Sequence, residues 1–256
     1  MSHTTKDAPR IDPYASTAKD HQIQEEIDIL RNHVTERRWE RMITVLDRRT
    51  RYLAAVVEDV YQPHNGSAVL RSCDAFGIQD VHIVENRNRY QVNPGVELGT
   101  AQWLSLYRYT RPTRPDDGDP TVGTRAAVAT LHRLGYRVYA TSPHRDDVTP
   151  EDLNLETSPV ALMFGAEKEG LSATALELAD GYLRIPMHGF VESLNISVSA
   201  AITLQTLSVR LRNSDLPWRL DPEYRTRILA RWLRRSVRHA PAILDRARAR
   251  ERADEA

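Results

Sequence analysis

The chain has 256 residues, enough for one substantial hydrophobic core with appended segments. Its mean hydropathy of −0.52 and the lack of any run of about 18 apolar residues exclude a helical membrane span, and a single cysteine, Cys73, excludes an internal disulfide or a cysteine-built metal site. A balance of 35 basic and 35 acidic residues excludes a uniformly basic coat for nucleic acid, although a local one remains open.

Residues 1–20 are polar, contain Pro9 and Pro13, and read as a disordered lead. They lack the charged start and apolar stretch of a secretory signal, so a cytoplasmic protein in a reducing compartment is expected. Two amphipathic helices follow within 21–50. Ile23, Ile27, Leu30 and Val34 recur at helical spacing in the first, and Trp39, Met42, Ile43 and Leu46 in the second.

From residue 51 the pattern changes to alternating strands and helices. Strands are predicted at 53–57, 81–84, 105–109, 137–140, 160–164 and 182–185, with helices at 67–76, 124–134, 172–178 and 194–212 and a Pro/Asp/Gly loop at 111–120. Single helices between strands imply a parallel α/β sheet covered on both faces over 51–212. The tail, 213–256, carries Leu229, Trp232, Leu233, Val237, Ile243 and Leu244 among its arginines and reads as two further helices. Between Arg210 and Arg252 thirteen arginines face five acids, and six arginines lie between Arg37 and Arg51. Such arms suit RNA phosphates, and equally a solvated helix face.

Several chemistries are absent. There is no G-x-G turn for a dinucleotide, no HxH or HExxH metal cluster, no G-x-S-x-G elbow and no Walker lysine loop. What remains is three turns, each at the end of a predicted strand. They are PHNGSAVLR (63–71), FGAEKEGLS (164–172) and IPMHGFVESLNIS (185–197). In a parallel sheet such loops gather at the carboxyl edge and can build one crevice. Asn65 could cap the helix that bears Arg71, Glu167 could serve a helix dipole, and Ser193 and Asn195 could cap the long helix. Each could instead be a site residue.

These three segments, in this order and spacing over about residues 38–212, resemble the signature motifs of the SPOUT class of RNA methyltransferases, and the TrmH branch in particular. The resemblance implies an α/β parallel-sheet fold with a C-terminal trefoil knot, flanked by N- and C-terminal helices. It also implies an obligate homodimer that binds S-adenosyl-L-methionine without a metal and methylates a ribose 2'-hydroxyl of tRNA, guanosine 18 in the D-loop. Ribosomal RNA as substrate, or a catalytically silent RNA-binding protein of the same fold, are the alternatives. By the same resemblance Arg71, Asn65, Glu167, Ser193 and Asn195 are the catalytic set, while Thr141, Gly165, Ile185, Met187, Gly189 and Leu194 hold the methyl donor. Arg231, Arg234 and Arg235 of the basic tail are expected to bind RNA. The resemblance casts Arg71 as the group that activates the ribose hydroxyl; because a guanidinium stays protonated and carries no acceptor, it could instead stabilise the developing alkoxide electrostatically.

Overall fold

The computed structural model describes residues 20–90, 95, 99–110, 119–143, 148–167 and 169–254. Most of the lead at 1–20 and of the loop at 111–120 lies outside them. The described residues divide into two compact units, one within 50–218 and the other joining 20–49 to 219–254.

The first unit is a six-stranded parallel sheet. Its strands are β1 (Thr50–Glu58), β2 (Ile78–Glu85), β3 (Ser105–Thr110), β4 (Arg137–Thr141), β5 (Val160–Phe164) and β6 (Gly181–Leu183), ordered β3-β2-β1-β5-β4-β6. Alternation along β1 shows how the sequence covers both faces. Leu53, Ala55 and Val57 enter one apolar cluster with Val69 and Leu70 of one helix and Leu204 and Leu207 of another. Ala54 and Val56 point into the opposite cluster with Ala127, Val128 and Ala175. The covering helices, numbered after two that precede the sheet, are α3 (Pro63–Ala75) and α6 (Ile196–Arg212) on the first face, and α4 (Val122–Arg133) and α5 (Ala173–Leu178) on the second.

β1 is longer than its apolar run because its polar ends are buried with partners. The Arg51 guanidinium donates to Asp80 at 2.6 Å, Thr50 Oγ1 donates to the Trp218 carbonyl at 2.6 Å, and Glu58 accepts from Ser172 N at 2.8 Å. Each buried polar group thus avoids the cost of lying unpaired. His82 on β2 stacks on Tyr107 of β3, ring centroids 4.6 Å apart, and its Nδ1 lies 2.9 Å from the Tyr109 hydroxyl. Burial pushes the imidazole pKa down from 6.5 to about 4. A short 3₁₀ turn, Thr100–Trp103, lacks a counterpart in the predicted elements.

The second unit is helical. α1 (Asp20–Arg31) and α2 (Glu36–Leu46) pack with α7 (Pro222–Ser236), and α8 (Ala240–Asp254) packs on α1. Trp232 is almost fully buried and lies 5.4 Å from the Arg49 guanidinium. Glu26 of α1 is buried and held from two helices, by Arg234 of α7 with Nε at 2.9 Å and by Arg248 of α8 at 2.7 Å. Among the described residues no helix is long and apolar enough to cross a membrane.

Candidate functional site

The chain leaves β1 through α3 toward β2 and β3, whereas β5 lies on the other side of β1 and leads to β6. The order therefore reverses between β1 and β5. In parallel sheets the segments that leave two such strands diverge and open a crevice at their carboxyl ends. The first and second sequence motifs leave β1 and β5, respectively.

α3 begins earlier than the sequence pattern indicates. Pro63, whose fixed φ suits a first helical position, starts the helix after Gln62, so Asn65 lies in its first turn rather than capping it. Its side chain is buried and freed for other bonds. Asn65 Nδ2 donates to Glu167 Oε1 at 2.7 Å, and its Oδ1 accepts from Asn195 Nδ2 at 3.2 Å. Asn195 caps α6, as its Oδ1 accepts from Ser197 N at 2.8 Å and Ser197 Oγ at 2.5 Å. α6 consequently starts at Ile196, two residues later than the apolar pattern implies. One residue from each motif is thus tied into a chain of amide and carboxylate groups.

The turn carrying Glu167 needs its glycines. Ala166 and Gly170 exchange two backbone hydrogen bonds, at 3.0 and 2.9 Å, and Gly170 adopts φ +68°. A Cβ on Gly165 would lie 2.1 Å from the Gly170 carbonyl carbon, so any side chain there would force the turn open. Below the turn, Glu58 accepts from Ser172 N and Oγ, each at 2.8 Å, and fixes the start of α5.

A cavity of about 290 Å³ lies against this turn. Of the residues expected at the methyl donor, Thr141, Gly165, Ile185, Met187 and Leu194 line it, and Glu167 and Ser193 join them from the catalytic set. Gly189 is not in the wall; it is exposed, and a Cβ there would meet nothing within 4 Å. Arg71 does not line the cavity either. It is exposed on α3, about 9 Å along the axis and a third of a turn from Asn65, and it pairs with no described residue.

Among the wall residues that sequence reasoning missed, three come from α6. Ile196, Ser199 and Thr203 stand at i, i+3 and i+7 on α6 and present one face to the cavity. Thr203 is wholly buried and its Oγ1 has no hydrogen-bond partner among the described residues. A mid-helix hydroxyl ordinarily bonds the carbonyl one turn back, as Ser72 does to Ala68 at 3.1 Å and Thr226 to Pro222 at 2.9 Å. The period-3.6 pattern of α6 could have placed Thr203 on that face, but not its unmet hydroxyl. Among the described residues no three His, Cys, Asp or Glu side chains converge as metal ligands.

Residues 52–205 match the model of the SpoU rRNA Methylase family, a span that holds the whole sheet from Tyr52 and all three motifs. The chain belongs to that family. Two relatives are tRNA (guanosine(18)-2'-O)-methyltransferases. That of Borreliella burgdorferi is 34% identical over 86% of this chain and 95% of its own length, and that of Thermus thermophilus is 39% identical over 78% and 98%. Among solved structures, the TrmH/SpoU tRNA modifying enzyme of Aquifex aeolicus superposes with a TM-score of 0.66 at 26% identity, over 79% of this chain and 98% of that one. For this SpoU family member, the parallel α/β fold expected from the sequence is the one observed.

In the helical unit the three arginines expected to bind RNA differ in setting. Arg234 is bound to Glu26, Arg231 is half-buried, and Arg235 is exposed. On α2, Arg37 and Arg41 share one exposed face at i and i+4, and Arg48 is exposed in the turn that follows the helix.

Proposed function

We propose that this chain methylates the ribose 2'-hydroxyl of guanosine 18 in tRNA, with S-adenosylmethionine as donor. The observation that carries the reading is the hydrogen-bonded set Asn65, Glu167 and Asn195 at the edge of the 290 Å³ cavity. That volume lies near the lower end of the ~300–1,000 Å³ usual for small-molecule sites. One feature fits the donor: Thr203, in the wall, has an Oγ1 with no partner among the described residues, which a bound polar group would satisfy.

When bound, S-adenosylmethionine supplies a sulfonium methyl open to in-line displacement. The protein's part is positioning and charge. Asn65 and Asn195 are held by one another and by Glu167, so they can orient a ribose with little reorganisation at the moment of reaction. Ser193 on the cavity wall adds a hydroxyl beside the donor. Arg71 is exposed on α3 with no described partner, and its guanidinium can meet an RNA strand laid along that helix and stabilise charge on the 2'-oxygen. Arg235, with Arg231 of the same helix, and Arg37 and Arg41 on α2 would bind phosphate, whereas Arg234 is already held by Glu26.

The reading includes a homodimer in the cytoplasm and a trefoil knot through the segments that line the cavity. Support for the dimer comes from α6, which exposes Val198, Ile202 and Val209 at i, i+4 and i+11, and from the exposed Phe190 and Val191 of the segment before it. An apolar stripe of that kind suits a self-complementary contact. Incubating unmodified tRNA with the protein and S-adenosylmethionine, then digesting to nucleosides for mass spectrometry, should yield 2'-O-methylguanosine. A methylated base in its place, or no methylation, would refute the proposal.

A further inference from the structure

A second, larger cavity of about 590 Å³ adjoins the donor cavity at the 165–171 turn. Glu167 lines both. We propose that the second cavity receives the base of the target nucleoside, turned out of the RNA, and that Tyr61 is the face on which it stacks. The inference rests on the methyl-transfer reading and names the acceptor side of it.

The chemistry of the wall selects the ligand. Among the described residues four carboxylates line it, Glu58, Asp59, Glu167 and Glu169, against one guanidinium, Arg87, and such a field repels phosphate. Yet these carboxylates are engaged. Glu58 accepts from Ser172, Asp59 Oδ1 accepts the backbone N–H groups of Asn86 and Arg87 at 2.8 Å each, Glu167 accepts from Asn65, and Glu169 pairs with Arg87. A divalent cation would have to break these bonds. An uncharged heterocycle with N–H donors on its edge, as guanine has, meets neither obstacle.

Tyr61 supplies the complementary face. It is 74% exposed in the segment between β1 and α3, its hydroxyl bonds no described residue, and it lines this cavity four residues before Asn65. An exposed aromatic alone would mean little. Here it borders a cavity whose far wall is the turn of Glu167, so a base on Tyr61 leaves its ribose facing Asn65 and Glu167, with the donor cavity beyond. Unpaired bases are commonly held in RNA-binding proteins by stacking on aromatic rings, which reads the ring rather than the sequence.

The test uses tRNA carrying 2-aminopurine at the target position and protein saturated with S-adenosylhomocysteine. Binding to wild type should quench the fluorophore, Tyr61→Phe should keep the quench, and Tyr61→Ala should lose most of it while melting at the wild-type temperature. In turnover, Tyr61→Ala should raise KM for tRNA about 10-fold or more, the scale of losing one base stack, with kcat changed far less. An abasic ribose at the target should impose the same penalty on wild type and no further penalty on Tyr61→Ala. An unchanged quench in Tyr61→Ala, or penalties that multiply, would overturn the assignment. Failure of wild type to methylate any tRNA would instead remove the methyl-transfer reading on which it rests.

Discussion

The sheet unit and the terminal-helix unit use the same residue type to different ends. In the sheet unit Arg51 is buried against Asp80 and Arg71 is exposed with no described partner. In the helical unit Arg234 and Arg248 clamp the buried Glu26, whereas Arg235 projects to solvent. Counting arginines therefore says little about function. What separates a structural arginine from a functional one is whether a buried carboxylate already holds it, because such a pair is costly to break.

That distinction can be broken by substitution, and the largest effect is expected at Arg71. Arg71→Ala should lower kcat by about 10²-fold or more, the scale of losing one preorganised donor to a developing charge. Donor affinity by calorimetry should stay near wild type, and Arg71→Lys should restore only part of the rate, since lysine lacks the planar fork. A raised KM with unchanged kcat would make Arg71 a phosphate anchor.

A smaller effect is expected at the clamp. Glu26→Ala leaves two half-exposed arginines unpaired, and a loss of about 1–3 kcal/mol in unfolding free energy is expected, below the figure for fully buried pairs. Denaturant titration measures it, and a change within about 0.5 kcal/mol, as at an ordinary surface site, would show that the arginines do not hold α1.

The sheet unit should also carry a pH dependence through His82. The His82 imidazole is kept neutral down to about 4, whereas in the unfolded chain it takes up a proton near 6.5. The unfolded state therefore binds more protons between those values. Stability should fall as pH drops through that window, by at most about 1.4 kcal/mol per pH unit from this group, with no contribution above it. His82→Gln should flatten the slope relative to wild type, and parallel slopes would assign the effect elsewhere.

The smallest effect is expected at Arg235. Arg235→Ala should weaken tRNA binding a few-fold and reduce the logarithmic salt slope by about 0.7–0.9, the value for one phosphate contact. Arg234→Ala should instead lower stability through Glu26. If both act alike on salt dependence, the contrast between clamped and free arginines fails.

Much of the sheet unit was legible because its signals are local. Continuous apolar runs such as Val160–Phe164 mark buried parallel strands, and the three motifs sit on the turns that follow strands. The ends were misplaced where tertiary partners decide. Arg51 and Glu58 extend β1 only because Asp80, Thr124 and Ser172 satisfy them across the fold. Asn65 looked like a cap because the pattern started the helix at Ser67, whereas Pro63 starts it and turns the amide toward Glu167. Thr203 and Tyr61 were invisible as site residues, since a lone hydroxyl or aromatic acquires meaning only from the cavity beside it. In the helical unit the amphipathic pattern located the helices, but the pairing of Glu26 with arginines more than two hundred positions away has no local signal.

The central claim is that the acceptor atom is a ribose 2'-oxygen presented at the Asn65 and Glu167 edge of the donor cavity. It is tested most directly with two tRNA transcripts that differ only by guanosine or 2'-deoxyguanosine at position 18, each incubated with the protein and methyl-labelled S-adenosylmethionine. Label should enter the first transcript and not the second, and Asn65→Ala should abolish most of the transfer to the first. Equal labelling of both transcripts would place the methyl group elsewhere and contradict the account.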